Sequence, residues 1–296
     1  MTKEGLALLA AAGTGVQVGV SMVASRAVAS DVDPATLALL RYAIGAGVVV
    51  PLALAVRVSW RSSGRDRVAV CALGIVQFGV LIWLLNWGLA RVPAADGAVL
   101  FATFPLLAQL FAALGGIERL SRNRLLGALA AMSGVAIAMG GHTGGAPVEG
   151  ALAVLASAAC GAACSVLYRP YLGRSAPLAV GAIAMLASAC ALAPPALLWG
   201  RPVTLDAGGW AVVAALGVAS GVFYWLWLFA LKHAGAARTT VFLSLGPPSA
   251  GVAGALWLGE RPGIELWLGM IAVAIGLRLA TRDPLPGGPG GLKSTL

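Results

Sequence analysis

Carboxylates are scarce in this chain, and none falls in the middle of an apolar run. The eleven acidic residues, Glu4, Asp31, Asp33, Asp66, Asp96, Glu118, Glu149, Asp206, Glu260, Glu265 and Asp283, all lie at the ends of such runs or between them. This argues against proton exchange on an intramembrane Asp or Glu, which would have to sit well inside the apolar layer. Histidine is scarcer still. His142 lies in a Gly-rich link and His233 near a run's end, with no HExxH pair, so nothing points to a zinc hydrolase. The four cysteines, Cys71, Cys160, Cys164 and Cys190, stand inside apolar runs without a CxxC pair or a His at ligand spacing. They read as small core residues rather than redox or metal groups. Without a nucleophile beside a base, paired carboxylates or metal ligands, the chain does not read as an enzyme, and no metal or cofactor is expected.

What is abundant is apolar. Hydrophobic residues make up 59% of 296 and charged ones only 10%, with a mean hydropathy of +0.91. A soluble domain could not cover its core with so little polar surface. A bilayer core about 30 Å thick needs roughly 20 apolar residues per helix. The runs predict ten helices, over 5–26, 34–56, 67–90, 94–116, 123–140, 148–170, 177–199, 208–231, 235–258 and 264–281. The first is too long for a signal peptide and lacks a convincing cleavage site, so it counts as a span. The stretch 284–296, opening Pro284-Leu-Pro-Gly-Gly, has no hydrophobic periodicity and is expected to be a disordered tail.

The net charge of +9 would suggest nucleic acid in a soluble protein, but here the cations cluster at helix ends. Alternating the faces of the ten spans puts 15 Lys and Arg on one side, among them Lys3, Arg57, Arg65, Arg122, Arg174, Lys232 and Arg278. The other side collects four, Arg26, Arg91, Arg201 and Arg261, with Arg41 inside the second span. Positive loops stay in the cytoplasm, so both termini are expected there, in a multi-pass inner (plasma) membrane protein with lipid and not nucleic acid around it.

Sliding the chain on itself by 142 residues superposes Trp83 on Trp225, Pro105 on Pro247, Glu118-Arg119 on Glu260-Arg261, Gly127 on Gly269 and Gly134 on Gly276. Matches of rare types carry information in so biased a composition. Residues 1–142 and 143–283 therefore read as two copies of one five-helix unit. An odd number of spans inverts the second copy, and the charge map agrees, with Glu118-Arg119 on the cytoplasmic side and Glu260-Arg261 outside. The fold class expected is an all-α membrane protein of ten transmembrane helices, as two inverted five-helix repeats around a central cavity. Inverted repeats are a recurrent transporter plan, because pseudo-symmetric halves pack in two ways of similar energy.

The ten-span plan, the Arg41-Tyr42 pair, and the segments Phe104-Pro105 to Glu118-Arg119 and Gly246-Pro247 to Glu260-Arg261-Pro262 together resemble the EamA group of the drug/metabolite transporter superfamily. The resemblance covers about residues 5 to 282. The first copy departs from the pattern, with Gly115-Gly116-Ile117 before the Glu and Leu120 in place of the Pro. The Trp-rich third and eighth spans look like those of YddG-type exporters of aromatic amino acids. The resemblance implies efflux of amino acids and related metabolites through a cavity between the halves.

Several polar and aromatic residues inside spans are candidates for lining that cavity. Gln17 and Ser21 form one small face with Thr14 nearby. Phe78, Ile82 and Asn86 recur at i, i+4 and i+8, and the 142-residue shift takes them to Ser220, Tyr224 and Leu228. Asn86 and Tyr224 each need a hydrogen-bond partner in lipid, which points them inward as site residues or as interhelical glue. Trp83, Trp87, Trp225 and Trp227 extend an aromatic surface. Thr103-Phe104-Pro105 and Ser244-Leu245-Gly246-Pro247 place Pro in matching spans, where a kink or a gating bend is expected. Arg41 either snorkels to the interface, packs between helices, or meets a substrate carboxylate.

The candidate substrate-binding set is thus Gln17, Ser21, Tyr42, Phe78, Trp83, Asn86, Phe104, Ser220, Tyr224, Trp225 and Ser244, with Pro105 and Pro247 at the bends. The expected function is export of aromatic or apolar amino acids by alternating access, without a proton-carrying carboxylate. The alternative is a multidrug or organic-cation efflux protein, which calls for an acidic cavity group. A single chain holding both repeats is expected to be a monomer, although small-residue faces such as Gly134 or Gly45-Ala-Gly47 leave association open.

Overall fold

The computed structural model describes residues 2–58, 63–116, 148–234, 239–240, 242–260 and 263–280, with isolated positions between 122 and 137. The expected span 123–140 and tail 284–296 lie largely or wholly outside the described residues, as does part of 235–258. Every element among the described residues is helical. In chain order these are α1 (Lys3–Ala27), α2 (Pro34–Ala55), α3 (Gly64–Leu89), α4 (Ala94–Phe101), α5 (Phe104–Leu114), α6 (Val148–Leu167), α7 (Arg169–Arg174), α8 (Pro177–Trp199), α9 (Ala207–Ala234), α10 (Gly246–Trp257) and α11 (Ile264–Ala280). Seven stretches among the described residues are long and apolar enough to cross a membrane: α1, α2, α3, Asp96–Leu114, Val148–Arg174, α8 and α9.

Local chemistry sets the starts. The Thr2 side chain accepts from the Gly5 N–H, Asp33 from Ala35 and Thr36, and Ser63 from Asp66, each satisfying donors that a first turn leaves orphaned. Gly116 and Gly259 end α5 and α10 with φ of +68° and +65°, the left-handed conformation that glycine adopts without a Cβ clash.

Three interruptions change the expected spans. A π-helical turn, Ile75–Val80, sits inside α3. The fourth span is broken at Ala102–Thr103, where the Thr103 hydroxyl donates to the Leu100 carbonyl at 2.8 Å. A 3₁₀ turn, Phe242–Leu245, precedes α10 in the same way. Pro105 and Pro247 consequently stand in the first turns of α5 and α10, and not as kinks within a helix. A first turn needs no N–H donor, which is why proline is tolerated there.

α1 packs on α9 and α10, and α2 on α8 and α9. α6 packs on α5 and on the C-terminal half of α3, whose N-terminal half meets α8. Adding 142 to the first partner and subtracting it from the second turns α1–α9 into α6–α3, α1–α10 into α6–α5 and α2–α9 into α8–α3, so each contact has its counterpart. The close crossings rely on glycine. A Cβ on Gly19 would overlap the Gly246 carbonyl, and one on Gly221 would lie 2.8 Å from the Gly45 carbonyl oxygen. Without a hydrophobic drive between helices in lipid, such close backbone approach is a main source of association.

The charged residues gather at two ends. Arg26 Nε pairs with Glu260 at 3.1 Å, and its Nη1 donates to the Leu89 and Val92 carbonyls at 2.7 and 2.5 Å. At the same end of α2, the Arg201 N–H donates to Asp33 at 3.3 Å. At the opposite ends of their helices, Arg174 pairs with Asp66 at 3.3 Å and Lys232 donates to the Ser175 carbonyl at 3.1 Å.

Candidate functional site

α1, α2, α3 and α9 wall a cavity of about 110 Å³, closed further by the α4–α5 break and the turn before α10. About 10–15 Å³ suffices for one water, so the space is large enough for a small solute. Its walls are paired by the 142-residue shift: Phe78 with Ser220, Ile82 with Tyr224, Leu85 with Trp227, and Phe101 with Leu243 all line it. Phe101 and Leu243 precede Pro105 and Pro247 by four residues, the position whose carbonyl loses its helical donor to proline.

One wall is aromatic. The Phe78 ring lies 4.6 Å from Tyr42 and 4.4 Å, edge-on, from Tyr224, while Phe104 meets Trp227 edge-on at 6.4 Å. The polar groups are few. Gln17 Nε2 donates to Ser21 Oγ at 2.5 Å, and the Thr14 hydroxyl donates to the Ala10 carbonyl at 2.8 Å. Arg41, only 7% exposed, donates from Nε to Ser220 Oγ at 2.5 Å, and that hydroxyl donates onward to the Leu216 carbonyl at 2.6 Å. The Gln77 amide oxygen is buried without a hydrogen-bond partner. No acidic side chain is among the described residues of the lining.

Of the sequence candidates, Gln17, Ser21, Tyr42, Phe78, Phe104, Ser220 and Tyr224 meet at this cavity. Asn86 does not line it: it is buried elsewhere, donating to the Pro34 carbonyl at 3.3 Å. The reason is angular. Past the π turn, Leu81 and Ile82 both line the cavity, and at 3.6 residues per turn Leu85 lies about 10° from their mean direction, whereas Asn86 lies about 90° from it. Leu85 takes the place expected for Asn86. Trp83 points away and is 43% exposed, and Trp225 packs half-buried against the surrounding core, so neither reaches the cavity. Ser244 lies in the 3₁₀ turn, its side chain outside the described residues.

Gln77 is a polar lining residue that the sequence candidates leave out. It neighbours Phe78 inside the π turn, whose wider winding brings adjacent residues toward one side. A lone Gln in an apolar run was the available signal.

A multi-helix membrane bundle around a cavity walled by repeat-related residues is the build of a solute transporter, and comparison with known proteins agrees. The EamA-like transporter family matches residues 5–140 and again residues 148–282, and the chain belongs to that family. It is 32% identical over 256 residues to the "Probable terminal-alkyne amino-acid exporter" of Streptantibioticus cattleyicolor, covering 84% of this chain and 82% of that one. It is 25% identical over 229 residues to "Uncharacterized transporter YyaM" of Bacillus subtilis, covering 73% and 74%. A solved crystal structure with 24% identity superposes with a TM-score of 0.73, over 93% of this chain and 96% of the other, which establishes a shared fold. The protein is a multi-pass membrane transporter and not an enzyme.

Proposed function

We propose that this protein exports amino acids with aromatic or apolar side chains, and related small metabolites, by alternating access of the central cavity. The observation that carries the reading is the pairing of Phe78 with Ser220, Ile82 with Tyr224, Leu85 with Trp227 and Phe101 with Leu243 around one space. A cavity shared by related positions of two units can open to either face through two equivalent packings. The amino-acid class is supported by the exporter named above and by the aromatic wall of Tyr42, Phe78, Phe104, Tyr224 and Trp227. An organic-cation pump fits less well, because no carboxylate lines the cavity among the described residues.

In this reading the chain forms ten spans, as inverted five-helix repeats over 1–142 and 143–283, and the helix contacts that survive exchange of the repeats support it. The excess of positive charge on one side supports a plasma-membrane orientation with both termini in the cytoplasm. Both walls come from one chain, so a monomer suffices. Gln17, Ser21, Tyr42, Phe78, Phe104, Ser220 and Tyr224 contact the solute.

The test is flux of radiolabelled phenylalanine, tryptophan and threonine into proteoliposomes with and without an imposed pH gradient. Saturable amino-acid flux that ignores the gradient is expected. Flux of an organic cation with none of the amino acids would overturn the proposal.

A further inference from the structure

We infer that the cavity recognises its solute as a zwitterion, with Arg41, braced by Ser220, holding an α-carboxylate and the Gln77 amide oxygen accepting from the α-ammonium. This deepens the amino-acid reading and rests on it. Arg41 carries a guanidinium, a donor with no acceptor atom, and is 7% exposed in the wall of the cavity. Among the described residues it makes no ion pair, and the lining holds no carboxylate. Its interactions are the bond from Nε to Ser220 and the Tyr42 ring, whose centroid is 5.7 Å from Cζ.

A buried cation without a counter-ion is costly in hydrocarbon, and this one is held in place and not allowed to snorkel. The Nε–H is spent on Ser220, which fixes the plane of the guanidinium. The terminal N–H groups remain as the two-pronged donor that matches a carboxylate. Gln77 supplies the opposite polarity. Gln77 lines the same cavity, and its amide oxygen is buried with no donor to accept from. An ammonium group satisfies it, with the Tyr42, Phe78 and Tyr224 rings available to the same cation or to the side chain. The two orphans are thus of the kind that one neutral α-amino acid satisfies together. An amine alone leaves Arg41 uncompensated, and an acid alone leaves Gln77 so.

The experiment uses the full chain in proteoliposomes, with radiolabelled phenylalanine as the probe and phenethylamine and 3-phenylpropionate as competitors. Each competitor lacks one charged group. Both are expected to compete at least tenfold more weakly than unlabelled phenylalanine. Arg41→Gln should raise the half-saturating phenylalanine concentration at least tenfold and abolish discrimination against phenethylamine, with Arg41→Lys restoring part of it. Gln77→Leu should abolish discrimination against 3-phenylpropionate. Elution as a single species and an unchanged thermal midpoint in detergent separate these effects from misfolding. Phenethylamine competing as well as phenylalanine against the wild type, or discrimination untouched in folded Arg41→Gln, overturns the inference and leaves the transporter reading standing. No phenylalanine flux at all, with phenethylamine carried instead, overturns both.

Discussion

Arg26 on α1 and Glu260 beyond the end of α10 are joined at 3.1 Å, and Glu260 also accepts from the Ala94 N–H at 3.2 Å. One carboxylate thereby ties the end of the first helix, the start of α4 and the end of α10. Arg26 completes the knot through the carbonyls of Leu89 and Val92 at the end of α3.

Removing that carboxylate leaves Arg26 with its carbonyl acceptors but frees the first turn of α4. The groups are partly exposed, 30% for Arg26 and 17% for Glu260, so the loss is modest, about 1–2 kcal/mol. Glu260→Ala should lower the thermal midpoint in detergent, with Glu260→Gln recovering part of the loss. A midpoint unchanged in Glu260→Ala would show that the knot contributes nothing.

Trp83 and Trp227 provide a matched contrast. Trp227 lines the cavity at 6% exposure, while Trp83, the repeat mate of Trp225, faces outward at 43%. Trp227→Ala should weaken apparent solute affinity about five- to tenfold, since an aromatic contact of this kind is worth roughly 1–1.5 kcal/mol. Trp83→Ala should leave affinity within about twofold. Equal effects from the two would mean that the wall is wrongly assigned.

Asn86 lies away from the cavity. Its side chain donates to the Pro34 carbonyl and joins α3 to the start of α2. Asn86→Ala is expected to cost about 1 kcal/mol of stability, the usual worth of such a bond between membrane helices. The half-saturating solute concentration should not change. A large rise in that concentration with an unchanged thermal midpoint would return Asn86 to the solute site.

Pro105 and Pro247 withhold donors from the carbonyls of Phe101 and Leu243, both in the cavity wall. Replacing both prolines by Ala supplies those donors and stiffens the two breaks together. Slower turnover, several-fold, at unchanged apparent affinity is the expected outcome in flux assays. Unchanged turnover would make the prolines simple helix starts.

The spans were legible in the sequence because lipid forces long apolar runs, and α8 begins and ends where its run does, at 177 and 199. The breaks were not. A π turn at Ile75–Val80 has no hydropathy period that sets it apart from an α-helix, and the two-residue break at Ala102–Thr103 holds no charge and no glycine. Gln17, Ser21, Phe78 and Tyr224 were found because a polar or aromatic group in mid-span has few other uses. Asn86 was misplaced by one residue of helical phase. Arg41 was visible as a buried charge, but its bond to Ser220, 179 residues away, was not, because only the packing of α2 on α9 brings the two together.

Access to Leu85, 6% exposed in the cavity wall, tests alternating access most directly. With Cys71, Cys160, Cys164 and Cys190 replaced by Ala, Leu85→Cys in proteoliposomes would be treated with a membrane-impermeant thiol reagent applied to one face at a time. Labelling from each face, suppressed by phenylalanine on both, is the predicted result. Labelling from a single face, unaffected by phenylalanine, would contradict a cavity that opens alternately to the two sides.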